Sequence, residues 1–134
     1  MPQNVKAGLY SLVTGTTAIN ALIGPRMFPV QLPENTLLPA IRYMVAGGQS
    51  GATFDDSGGP QRWRLQFDCI ADDADTAEAL RNALTDALDG YNGTLSDGTY
   101  VTIFSLQPID FYDSDPRQFR CAQEFYINFN RNPS

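Results

Sequence analysis

The 134-residue chain is predicted to be α+β, with a mostly antiparallel sheet of about four to five strands packed against one long and one or two short helices. Three observations carry that expectation. The stretch QRWRLQFDCI, at 61–70, alternates apolar and polar residues, so that Trp63, Leu65, Phe67 and Cys69 share one face of a strand. From Ala77 onward the period changes to that of a helix, with Leu80, Leu84, Leu88 and Tyr91 in one apolar stripe. QFRCAQEFYINFN, at 118–130, alternates again and places Phe119, Cys121, Phe125, Ile127 and Phe129 together.

The remaining elements follow in chain order. Val5, Leu9, Leu12 and Val13 have helical spacing, and Thr14-Gly15-Thr16 interrupts them. Thr16 is expected to cap a second short helix, TAINALI, which Gly24-Pro25 ends. Residues 26–43 read RMFPVQLPENTLLPAIRY, with prolines at 29, 33 and 39. Proline donates no hydrogen bond to a sheet ladder, so this stretch predicts a short edge strand near 26–30, an irregular connection, and a strand over about 39–46. The five glycines of 47–60 predict a flexible loop or hairpin tip. Asp72 and Asp73 suit the N-terminus of the long helix, whose outer face carries Asp75, Glu78, Asn82, Asp86 and Asp89. Asn92-Gly93 closes it, Ser96-Asp97-Gly98 turns into the strand TYVTIFSLQPI, and DFYDSDPR at 110–117 forms a turn before the last strand. No internal repeat or linker divides residues 1–134, which read as one domain.

Composition narrows the function. The chain is 43% hydrophobic and 18% charged, within the globular range. It has no apolar run near the roughly 18 residues that cross a bilayer, and MPQNVKAGLY lacks the parts of a signal peptide. A soluble protein made in a cytoplasm is expected. With net charge −6 and no basic cluster, the chain is unsuited to gripping nucleic acid, although it can line a passage along which nucleic acid slides. The two cysteines are expected to be buried thiols, and two cysteines without histidine cannot complete a tetrahedral zinc site.

The search for chemistry returns little. Without histidine there is no Ser-His-Asp or Cys-His catalysis, and no phosphate-binding or dinucleotide fingerprint occurs. Asp56-Ser57-Gly58 matches the Asp-Ser-Gly of aspartic proteases. There, however, the aspartate follows a buried apolar strand, and here it stands among glycines, as the tip of an acidic loop would. Capping accounts for Asp72 and Asp73, and turn chemistry for Asp113 and Asp115; neither pair brings enough oxygen ligands for a metal. No catalytic, cofactor-binding or metal-binding residue is assigned.

The order of pieces is more informative than any one motif. A leading helix ends in ALIGPRMFPVQLPENTLLPAIRY, RWRLQFDCIADDADTAEALRNALTDALDGYNG passes directly from strand to long helix, and the chain closes on DFYDSDPRQFRCAQEFYINF. Together Ile23-Gly24, Arg26, Pro29, Leu32-Pro33, Pro39-Ala40, Gln66-Phe67-Asp68 and Leu88-Asp89-Gly90 resemble the phage tail-completion family, which includes siphophage tail terminator and tail-to-head joining proteins. The resemblance spans about Val5 to Asn130. It implies a non-enzymatic virion protein, assembled in the host cytoplasm, that forms a ring, usually hexameric, at the head-proximal end of the tail. Its implied partners are further copies of itself, the tail tube protein and the head–tail connector or stopper protein, with DNA in transient passage and no membrane. A head-side stopper or another neck component is the alternative, and a small hydrolase using Asp56 a distant third.

Ring closure requires one patch of a subunit to meet a different patch of the next. The expected material is Met27, Phe28, Val30, Leu32, Leu37 and Leu38, weighed against ordinary core packing. Phe54, Asp55 and Asp56 are the candidates to meet a partner or to border the opening, with Asp97, Asp110, Asp113 and Asp115 as further acidic candidates.

Overall fold

The computed structural model describes residues 4–50, 59–113 and 118–131. The elements are α1 (Val5–Thr14), α2 (Thr17–Ile23), β1 (Met27–Pro29), β2 (Ala40–Ser50), β3 (Gly59–Ala71), α3 (Ala74–Leu88), β4 (Asn92–Thr94), β5 (Tyr100–Asp113) and β6 (Gln118–Arg131). The six strands form one sheet in the order β1-β2-β3-β6-β5-β4. Only β1 and β2 run parallel; every other neighbouring pair is antiparallel.

The α+β class and the mostly antiparallel sheet agree with the sequence reading, but the details need correction. The described residues form six strands rather than four to five, because Asn92–Thr94 forms an edge strand where only a helix stop was expected. The helices do not divide into one long and the rest short: α3 has 15 residues, α1 has 10 and α2 has 7. β2 reaches Ser50 and β3 begins at Gly59, so both strands enter the segment assigned to a loop. β5 continues to Asp113, past the turn expected from 110. Thr16 makes no side-chain cap; its hydroxyl donates to the Leu12 carbonyl at 2.9 Å instead.

Burial explains the arrangement. One face of the sheet packs on the helices, and both alternating strands deliver their apolar sets there: Leu65, Phe67 and Cys69 from β3, Phe125, Ile127 and Phe129 from β6. The α3 stripe Ala77, Leu80, Leu84 and Leu88 lies buried against them. Phe67 stacks on Tyr43 at 6.2 Å and meets Phe125 edge-on at 5.5 Å, the offset geometries aromatic pairs prefer. Trp63 is partly buried and edges onto Phe129 at 4.9 Å.

The caps fix the ends. Asp73 accepts from the Thr76 amide at 2.7 Å and from its hydroxyl at 2.9 Å, and these bonds hold its carboxyl below the usual range. Asn4 caps α1 through the Ala7 amide. Gly90 has φ +77, a left-handed conformation that lets the chain leave α3 and turn back to the sheet. Cys69 and Cys121 face each other across β3 and β6, both buried, and burial pushes the Cys69 thiol far up from its ordinary value.

Candidate functional site

The other face of the sheet, which no helix covers, answers what the proline-rich segment does. After β1 the chain leaves the ladder at Val30, whose amide donates to the Tyr43 carbonyl at 2.8 Å. It then lies over one end of this open face, where Leu32, Pro33, Asn35, Thr36 and Leu38 share a shallow hollow with Arg42, Ile70 and Gln118. Arg26 ties the far end down by donating from Nε to the Pro39 carbonyl at 3.0 Å and from a terminal nitrogen to the Leu22 carbonyl at 3.1 Å. Three prolines suit such an overlay because it runs across the sheet and needs no ladder donors.

Arg42, which lines that hollow, also binds a buried carboxylate. Asp68 is fully buried, although its parity in β3 points away from the helices. Arg42 donates to one of its oxygens from Nε at 3.0 Å and again from a terminal nitrogen, and Arg120 stands 3.7 Å from the same oxygen. Gln66 donates to the other oxygen at 2.9 Å. The register makes this possible: Arg42, Asp68 and Ala122 lie abreast on β2, β3 and β6, with Arg120 one pleat along. A buried charge persists only when paired and hydrogen-bonded, and this one is both.

Further along the same face the rows read Arg64, Tyr126, Phe104 and then Arg62, Asn128, Thr102. Arg64 pairs with Glu124 at 3.3 Å; Arg62 donates to Asn128 at 3.0 Å and lies 5.0 Å from the centre of the Tyr126 ring. Phe104 and Tyr100 are 49% and 58% exposed, large rings left in water on an otherwise ordered sheet.

The predicted interface residues separate. Met27 is 3% exposed and belongs to the core. Phe28, partnered with Arg42 in the β1–β2 register, is half-buried on the open face. Leu32 and Leu38 are half-buried in the overlay, whereas Val30 and Leu37 are 65% and 72% exposed. Val30 also has φ +64. A β-branched residue held there costs roughly 1–2 kcal/mol, so Val30→Gly should leave the melting temperature unchanged or slightly raised. The same substitution should weaken any assembly that uses the exposed valine, read as a change in particle mass at fixed concentration.

Of the other candidates, Phe54, Asp55, Asp56 and Asp115 lie outside the described residues. Asp110 and Asp113 belong to β5 rather than to a turn. Asp97, a further acidic candidate, is engaged by hydrogen bonds. It accepts from the Asn4 amide and the Thr99 hydroxyl, both at 2.7 Å, and from the Thr99 amide at 3.2 Å, tying α1 to the turn before β5. Burial pulls its carboxyl up, but these hydrogen bonds outweigh burial and leave it below the usual range. Gly8 completes the contact, since a Cβ there would meet the Leu95 side chain at 2.7 Å. Among the described residues no cluster of His, Cys, Asp and Glu has metal-holding geometry, and no helix is long and apolar enough to cross a membrane.

The described residues thus form one sheet with an apolar helical side and an ordered polar and aromatic open side. The comparisons give the class: the family described as tail completion protein gp17 matches residues 7–128. The chain belongs to this family and is a structural phage tail protein. A similar fold occurs in a chain from the virion of a native gene transfer agent particle, with TM-score 0.69, 19% identity and 92% of each chain covered. The search of curated proteins gave no match.

Proposed function

We propose that this protein closes the head-proximal end of a phage tail as a ring, six copies being the number the family resemblance suggests. The ring ends growth of the tail tube and offers a docking face to the head connector. The observation that carries this reading is the family match over nearly the whole chain, 7–128. The exposure of Val30 and Leu37 supports it, because large apolar side chains left in water beside a polar face mark surfaces that meet partners. Phe28, Leu32 and Leu38 line the same edge and contribute to the subunit contact. The partners in this reading are neighbouring copies, the tube protein and the connector or stopper protein. DNA crosses the opening unbound, and the loop with Phe54, Asp55 and Asp56 borders that opening as an acidic, low-friction rim.

Electron microscopy of particles assembled with and without this protein tests the reading. Tails of uncontrolled length, or finished tails that fail to join heads, are expected when it is missing. Tails of normal length attached to filled heads would overturn the proposal.

A further inference from the structure

We propose that Cys69 and Cys121 are a modification site, a cross-strand disulfide that is open while the chain is made and closes when a small-molecule disulfide oxidises the pair. The inference stands apart from the ring reading. It uses only the sheet register and the protein's class as a structural phage tail protein.

Position is the first argument. The chain has two cysteines among 134 residues, and the register sets them directly opposite each other on β3 and β6. Both are thiols, buried on the helical side of the sheet. Directly opposed residues of an antiparallel pair share a face and have Cα atoms roughly 4.5–5.5 Å apart. A disulfide needs roughly 4.4–6.8 Å and Cβ atoms that face each other. The ladder thus holds the pair within bonding range, and one chain with two cysteines has no competing isomer.

Access is the second argument. The pair is third from the end of the β3–β6 ladder, which finishes at Ala71 opposite Phe119. Cys69 is sealed, whereas Cys121 is 8% exposed. Fraying of a few pairs at that end bares Cys121 without unfolding the rest. Burial first, and then the nearness of Cys121, push the Cys69 thiol up, away from the thiolate that reacts. The closed sheet therefore reacts slowly.

The chemistry is thiol–disulfide exchange. Cys121 Sγ, as a thiolate, attacks one sulfur of the small disulfide. The other sulfur leaves with the electron pair of the broken bond and takes up the proton that Cys121 lost. Cys69 Sγ, deprotonated in turn, attacks the Cys121 sulfur of this mixed disulfide and releases the second small thiol. Two cysteines are oxidised, and one disulfide is reduced to two thiols. A reducing cytosol keeps such a pair open, and a particle that has left the cell is no longer in contact with that reductant. The bond closes the long span that holds α3, β4 and β5 and tethers the two central strands of the sheet. Such a link stabilises mainly by restricting the unfolded chain.

The full chain, purified under reductant, tests the site with oxidised glutathione as the probe. Incubation just below the melting temperature, where strand ends open, should lower the intact mass by two hydrogens. Thiol titration in denaturant should then find none, and a non-reducing digest should yield a linked Cys69–Cys121 peptide pair. The melting temperature should rise by roughly 5–15 °C and fall back when dithiothreitol is added. Cys121→Ala should gain no stability from the oxidant, and Cys69→Ala serves the same comparison if that variant does not fold. Thiols that stay reduced, a lasting glutathione adduct on Cys121, disulfide-linked dimers or a lowered melting temperature would each overturn the site. None of these results bears on the ring reading, which electron microscopy decides.

Discussion

Asp68→Ala should destabilise the fold by about 3 kcal/mol, the low end of the cost of breaking a buried ion pair. The arginines left behind decide the size of the loss. Arg42 and Arg120 have side chains 23% and 22% exposed, so each keeps some access to water but loses its counterion. Gln66 loses the acceptor for its amide as well. The loss should shrink sharply in Asp68→Leu combined with Arg42→Met, because removing both partners leaves fewer stranded charges. Chemical denaturation of the single and double variants measures both outcomes. A single variant within roughly 0.5 kcal/mol of wild type, the effect of an ordinary surface change, would show that the carboxylate is hydrated.

Leu84→Ala should cost roughly 2–5 kcal/mol. Leu84 is fully buried at the middle of the α3 stripe, over a sheet face that includes Phe67 and Phe125. The helix itself should tolerate alanine well, so the loss comes from the cavity and not from propensity. A shift of the denaturation midpoint with unchanged slope would confirm a packing loss within the same cooperative unit. A loss below about 1 kcal/mol would mean that the helix is not seated on the sheet as described.

The two results also separate what sequence reveals from what it hides. The β3 and β6 alternations and the α3 stripe were legible because each is a local period, readable within a dozen residues. Asp68 was not. Its parity in QRWRLQFDCI assigns it to solvent, and its partners Arg42 and Arg120 lie far away in sequence. Only the β2–β3–β6 register brings them together. The proline pattern signalled an edge, but it carries no information on which surface the following segment crosses. β4 was missed for a similar reason: Asn92-Gly93-Thr94 has weak strand propensity and pairs only because β5 lies alongside. The over-long loop at 47–60 reflects glycine content, which sheet pairing at Gly47 and Gly59 overrides.

The open face was legible only in pieces. Arg62 and Arg64 alternate with the core residues of β3, which marks them as outward-facing, but nothing local places Phe104 and Tyr126 beside them. Asp97 was read from its turn signal alone, and the amide of Asn4 that it binds comes from the other end of the chain.

Both borders of the sheet are only three residues long: β1, which ends on a proline, and β4. β1 covers only Ile41–Tyr43 of β2 and β4 only Tyr100–Thr102 of β5, so among the described residues most of the outer edge of both longer strands has no strand beside it. Strand-by-strand addition by another chain therefore has a template at each border of the sheet, and an assembled neighbour lying along either border would remove it.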